Sequence, residues 1–305
     1  MKNKYKAGLA AVLLIALVCI MPGYGRFADV AEVMKGQGGA LGQDPYEKTQ
    51  GVEEEGQFTI VIDPGHGGMD GGAETSDGIK EKDLNLEIAL RLRDVAKRYC
   101  TIDEKSQDAE PKTGRRINVI MTRDSDVCLG AEETDGSIRS MKIKDIHERK
   151  RIIDQAKPDI TVSIHLNNFK QDSGVRGAQT FYPGESGVAS DFAAHKTGES
   201  DNMMGAASPS EESLEVAKKI QEAIEKNIDY GKQRVAMEKN NIYIFQNIYT
   251  PIVLIECGFL SNSGDLTIAQ NPIFQQKIAE SIMLALSEYY TLKPAKKFTV
   301  VDSRT

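Results

Sequence analysis

Short apolar runs alternating with amphipathic helices predict an α/β fold: a twisted, mostly parallel sheet of about six strands with helices on both faces. Residues 58–63 form an apolar run that stops at Pro64-Gly65, as a buried strand does. Residues 81–100 then place Leu84, Ile88, Leu92, Val95 and Tyr99 on one side at helical spacing. The same alternation recurs to residue 289.

The elements follow in order. Residues 117–122 read as a second strand, and 145–157 as a second helix ended by Pro158. Residues 160–164 and 178–182 read as further strands. Ser208, with Glu211 three residues later, looks like a capping box and opens a helix carrying Leu214, Ala217, Ile220, Ile224 and Ile228. Residues 242–245 and 252–255 read as two more strands. Asn271 with Pro272 starts the last helix, which presents Phe274, Ile278, Ile282, Ala285 and Tyr289. The polar stretches 101–116 and 184–207 read as surface loops, the second a candidate lid. The domain is expected to span 57–293, with a tail over 294–305.

The N-terminus bears on compartment. Lys2, Lys4 and Lys6 precede an uncharged apolar run over 7–21. That run is short for a membrane span, which needs about 20 residues, and fits a secretory signal. Residues 1–25 are therefore expected to be a cleaved signal peptide or an uncleaved N-terminal anchor; either exports the rest. Residues 26–56, rich in Gly and acidic side chains, read as a linker.

The formal net charge of -7, with no basic stripe, argues against nucleic acid as a partner. The cysteines, Cys19, Cys100, Cys128 and Cys257, show no C-x-x-C spacing, so a thiolate zinc site is not expected. Pairing of Cys100 with Cys128 stays open.

Open α/β sheets bind ligands at the carboxyl ends of their strands. One strand ends in Asp63-Pro64-Gly65-His66-Gly67-Gly68, another in Ser163-Ile164-His165-Leu166-Asn167, and a third in Glu256-Cys257-Gly258. Glu81 opens the first helix, so its carboxylate can approach His66. Two histidines and a carboxylate with an open position suit catalytic zinc. Such a site needs a carboxylate off the metal as general base, and Glu256 is the candidate. A lone histidine beside glycines is commonly a turn or surface residue. Two at separate strand ends, with a carboxylate at a helix start, form a set. Glu256, after four apolar residues, is costly to bury without a partner or a task. Asp63 and Asp70 are acidic neighbours of His66, with Asp63 read as a supporting residue. His147 begins a run like H-E-x-x-H, but Arg151 stands where its second histidine belongs, and both His147 and His195 are read as surface residues.

These motifs, with Lys80-Glu81-Lys82-Asp83-Leu84-Asn85-Leu86, Met121-Thr122-Arg123 and the run from Pro251 to Asn262, resemble the zinc N-acetylmuramoyl-L-alanine amidases of bacterial cell walls. The resemblance covers about 57–291. It implies that His66, Glu81 and His165 are zinc ligands and Glu256 the catalytic glutamate. It also implies that the substrate is the amide joining muramic acid to L-alanine in peptidoglycan. Asp145-Ile146-His147-Glu148-Arg149, Gly177-Ala178-Gln179-Thr180-Phe181-Tyr182 and Asn241-Ile242-Tyr243-Ile244 resemble the spore-cortex amidases of endospore formers. Those enzymes prepare muramic acid for conversion to muramic-δ-lactam, which implies a place outside the cytoplasmic membrane, in the space around the forespore. No repeated wall-binding module is visible beside the domain, so targeting is expected from the domain, a protein activator or the compartment. Two other readings stay open: a zinc peptidase acting within the stem peptide, and a catalytically dead wall-binding protein.

Overall fold

The computed structural model describes residues 57–103, 112–130, 137–192 and 207–294. The expected signal or anchor, the linker, the tail beyond 294, most of the candidate lid and His195 lie outside these residues. In chain order the elements are β1 (Thr59–Pro64), α1 (Glu81–Ala96), β2 (Tyr99–Asp103), β3 (Lys112–Arg116), β4 (Asn118–Met121), α2 (Ile138–Ala156), β5 (Ile160–Asn167), β6 (Gln179–Tyr182), α3 (Pro209–Asn227), β7 (Met237–Glu238), β8 (Ile252–Phe259), α4 (Ser263–Gln270), α5 (Pro272–Tyr289) and β9 (Lys293–Pro294). Short 3-10 turns lie at Glu185–Gly187 and Tyr243–Phe245. Among the described residues, no helix is long and apolar enough to cross a membrane.

Six strands form the main sheet in the order β4-β1-β5-β8-β6-β7. The first four are parallel, β6 is antiparallel to β8, and β7 is parallel to β6. This is the expected mostly parallel sheet. Successive strand residues face opposite sides. Ile60, Ile62, Val162, Ile164, Val253 and Ile255 pack against Leu84, Ile88 and Leu92 of α1, Ile220 and Ile224 of α3, and Ile278 and Ile282 of α5. The intervening Val61, Phe181, Ile252 and Leu254 join a second cluster with Ile153 of α2 and with Ile244, Phe245 and Ile248. Helices therefore cover both faces, and the strands read as unbroken apolar runs. Each fully buried aliphatic side chain contributes about 1.5–3 kcal/mol.

Several expected elements differ. Residues 242–245 are not a strand; Tyr243–Phe245 form a 3-10 turn. Adjacent Ile244 and Phe245 are both buried in the second cluster. A strand would send them to opposite faces; a 3-10 turn places both in one core. The stretch 101–116 is not simply a loop. β2 and β3 pair antiparallel, and β9 joins β2, making a second, three-stranded sheet. Its polar composition carries no alternating pattern, so backbone pairing decides it. The first helix ends at Ala96, because Tyr99 and Cys100 already belong to β2. The second helix begins seven residues earlier than expected, with Ser137 Oγ accepting from Ser140 N at 3.2 Å. Its first turns leave Ile138 and Ile143 exposed, which hides the apolar stripe. The sequence also gave no sign of α4, which Asn262 caps by accepting from Gly264 N and Asp265 N.

Candidate active site

On the α2 side of the sheet, the strands turn from apolar to polar as they approach their carboxyl ends. Asp63 follows Val61 by two residues on β1, and Glu256 follows Leu254 by two on β8. On β5, Ser163 and His165 lie on the same side. Asp63 pairs in register with Ser163, and His165 with Glu256. The sheet therefore delivers its polar groups to one rim.

Beyond β1 the backbone reverses sharply. His66 has φ 62, Gly67 φ 147 and Gly68 φ 54. A left-handed conformation disfavours a residue with a Cβ, so His66 is strained unless its surroundings hold it. Gly67 N donates to Asp70 O at 2.9 Å and Asp70 N returns the bond to Gly67 O at 3.0 Å. Lys82 Nζ reaches Gly68 O at 2.9 Å, and Asp126 Oδ1 accepts from Gly68 N at 2.7 Å. Gly65 is required for another reason: a Cβ there would sit 2.1 Å from Cε1 of His165. The His165 ring occupies the space a side chain would need.

Glu81 is the hub. Its Oε1 lies 3.1 Å from His66 Nε2 and 3.1 Å from His165 Nδ1. Its Oε2 accepts from Ala73 N at 2.9 Å. Asn85 Nδ2 donates to Oε1 at 3.3 Å from one helical turn further on. The ligand-type atoms of His66, Glu81 and His165 all lie within 4.8 Å of one another. The two rings meet edge to face with centroids 5.1 Å apart. Two imidazole nitrogens and a carboxylate oxygen at this spacing form a site that can hold a metal ion. Burial opposes the charge on Glu81, but the imidazoles of His165 and His66 outweigh it and hold its carboxyl far below the usual range. Burial likewise opposes a charged His66, yet Asp70 and Glu81 raise its pKa to about 9.

Under the turn lies a buried ion pair. Arg149 Nη1 donates to Asp63 Oδ1 at 2.7 Å and to Pro64 O at 2.6 Å, while Nη2 donates to His66 O at 2.5 Å. Its Nε meets Asp145 Oδ2 at 2.6 Å. Asp63 also accepts from Thr122 Oγ1 and Ser163 Oγ, each at 2.7 Å. Burial pushes the Asp63 carboxyl up, and Arg149 with these hydroxyls brings it down to about 2. Arg123 supports the same turn, donating to Pro64 O at 3.0 Å, Gly65 O at 3.0 Å and Lys82 O at 2.9 Å.

Glu256 stands on the strand beside His165. Its Oε2 is enclosed and has no hydrogen-bond partner among the described residues. Burial lifts its carboxyl to about 7, against the pull of His165 and with the push of Glu81. A carboxylate with one free, desolvated oxygen can accept a proton near neutral pH.

The structure thus gathers His66, Glu81 and His165 and sets Glu256 on the adjoining strand. Asp63 sits beneath the cluster rather than in it. His147 is exposed and stacks on Tyr243 with centroids 5.2 Å apart. Pairing of Cys100 with Cys128 concerns a side chain outside those described. The sequence assigned no role to Arg149, Lys142 and Arg123, although Arg123 and Arg149 stand in motifs quoted above. Arg149 lay inside the motif from Asp145 quoted above, at i+4 from Asp145, and that spacing was the available signal.

A family model described as N-acetylmuramoyl-L-alanine amidase matches residues 60–288. A germination-specific N-acetylmuramoyl-L-alanine amidase of Bacillus subtilis (strain 168) is 34% identical over 234 residues, covering 77% of this chain and 80% of that protein. The CwlD amidase from Clostridioides difficile, solved in complex with the GerS lipoprotein, matches with TM-score 0.60 at 33% identity, covering 77% of this chain and 99% of that one. An N-acetylmuramoyl-L-alanine amidase from Clostridium difficile 630 matches with TM-score 0.55 at 26% identity, over 77% of this chain and 97% of that one.

Proposed function

Because the chain belongs to the N-acetylmuramoyl-L-alanine amidase family and is a peptidoglycan amidase, we propose that it works with zinc held by His66, Glu81 and His165, and with Glu256 as general base. The observation that carries this reading is the convergence of both imidazoles on Glu81 Oε1, beside a carboxylate whose Oε2 has no partner among the described residues. When bound, zinc acts as a Lewis acid that polarises a carbonyl and makes water nucleophilic near neutral pH.

Glu256 Oε2 takes a proton from the attacking water as its oxygen bonds to the lactyl carbonyl carbon. The same oxygen then gives that proton to the alanine nitrogen as the C–N bond breaks. The products are a lactyl carboxylate on the sugar and a peptide with a free L-alanine amine. Arg149 and Arg123 do not touch the substrate in this scheme; they hold the turn that presents His66.

Digestion of defined muropeptides followed by mass spectrometry tests the bond. New amino-terminal L-alanine is the expected result. Cleavage between stem residues would turn the reading to a peptidase, and no cleavage by zinc-loaded protein would turn it to a wall-binding protein.

Spore cortex is the proposed wall, preparing muramic-δ-lactam formation. The name of the Bacillus subtilis relative and the cortex-type motifs support this. The lysines before the apolar run over 7–21 support export, by a cleaved signal or a membrane anchor. A protein activator is part of the proposal, on the precedent of the Clostridioides difficile amidase solved with a lipoprotein.

A further inference from the structure

We propose that Asp70 is the positioning carboxylate of His66 and that Lys142, on α2, holds Asp70 to that task; the inference rests on the zinc reading above. His66 Nδ1 lies 2.8 Å from Asp70 Oδ2. The other oxygen, Oδ1, receives Lys142 Nζ at 2.6 Å and Gly72 N at 3.1 Å. Both carboxylate oxygens are therefore committed, and the group has one orientation. Its main chain is fixed as well, by the reciprocal bonds between Asp70 and Gly67.

An ionised carboxylate only accepts hydrogen bonds. Beside Nδ1 it keeps a proton on Nδ1, so that Nε2 is the nitrogen whose proton a metal would displace and whose lone pair it would take. That nitrogen faces Glu81 Oε1 at 3.1 Å. The opposite tautomer would direct an N–H where a metal needs a lone pair. Outer carboxylates of this kind orient metal-ligating histidines and raise their basicity.

The two histidines differ in how they are held. His165 sits on β5, turns Nδ1 toward Glu81, and is wedged in the space left by Gly65. His66 sits on a strained turn with φ 62, and its side chain is 24% exposed. Both rings pack over a glycine, His165 over Gly65 and His66 over Gly72, but only His66 has a carboxylate on Nδ1 that is itself held from another helix. Lys142 makes that bond a property of α2, the same helix whose Arg149 grips the His66 carbonyl.

The test measures zinc affinity of the full-length chain by competition with a chromophoric chelator, in wild type, H66A, D70N, K142M and K142R. Asp70→Asn is expected to bind zinc about 10–100-fold more weakly. Its metal-free form should remain folded under the titration conditions, and its cobalt-substituted absorption spectrum should shift. Lys142→Met should weaken zinc in the same direction by less, and Lys142→Arg should restore it. Wild-type zinc affinity and cobalt spectrum in D70N would overturn the proposal. So would a loss of affinity that only follows unfolding of the metal-free protein under those conditions. Absence of zinc uptake by the wild type, equal to H66A, would overturn the zinc reading and this inference with it.

Discussion

His165 and Glu256 are register partners on the parallel strands β5 and β8, so their side chains leave the sheet on the same face. One turns its Nδ1 to Glu81, while the other keeps an oxygen without a hydrogen-bond partner among the described residues. Neighbouring strands thus supply a metal-type ligand and a buried carboxylate at one level of the sheet. Glu256→Gln should keep zinc and lose activity by roughly 10²–10⁴-fold. His66→Ala and His165→Ala should lose the metal. Elemental analysis beside turnover on muropeptides separates the classes. A Glu256 variant as metal-poor as the histidine variants would remove the division of labour.

Removing one partner of a buried ion pair strands the other. Arg149 and Asp63 are each 2% exposed at the side chain. Arg149→Met should destabilise the domain by about 3–5 kcal/mol, read from denaturant midpoints. Adding Asp63→Asn to it should recover part of that loss. A double variant no more stable than R149M would mean that Arg149 acts through the carbonyls of Pro64 and His66 instead.

The same pair sets an acid limit. The Asp63 carboxyl lies at about 2 in the fold, below its ordinary value of 3.8. A group depressed in this way stabilises the fold above its unfolded pKa, and that stability is lost as pH falls through the folded one. The gap in stability between wild type and Asp63→Asn should be full at pH 5 and above, with a pH-dependent part of about 2 kcal/mol. It should shrink from about pH 4 down to about 2. Urea titrations across that range check this, and a gap constant with pH would contradict it.

Gly65→Ala should displace His165, since its Cβ would lie 2.1 Å from Cε1 and 2.3 Å from Nε2. Zinc content and activity should fall together, with far-ultraviolet circular dichroism unchanged. Retained zinc at wild-type affinity would show that the ring has somewhere else to go.

A strain lacking the protein should build cortex without muramic-δ-lactam and with peptides left on muramic acid. Muropeptide profiles of its spores give the answer. Normal lactam would remove the cortex assignment and leave the amidase in place.

The sheet and its helices were legible because burial on both faces leaves unbroken apolar runs, as on β1 and β8. The candidate site was legible in part because His66, His165 and Glu256 all follow such runs directly. What could not be read was the support. Arg149 and Lys142 belong to a helix whose exposed Ile138 and Ile143 blur its pattern. Their partners, Asp63 and Asp70, lie more than 70 residues earlier in the chain. Spacing along a sequence reports neighbours within an element; it says little about a cation reaching across to another. The second sheet failed for a related reason, since backbone pairing between β2, β3 and β9 needs no particular side chain.

The strand order also imposes a sequence of events on synthesis. Strands β1, β4 and β5 are made early and are neighbours, so three adjacent strands can pair while the rest of the chain is still to come. β8 is made late and inserts between β5 and β6, filling a central place. Until it arrives β5 keeps an open edge and β6 lacks its neighbour, both prone to pair wrongly. His66, Glu81 and His165 are by then already present, while Glu256 comes with the strand that closes the gap. With the proposed roles of these residues, a polypeptide delivered N-terminus first would carry the makings of a metal centre well before it could hydrolyse anything, and its activity would start with the closing of its sheet.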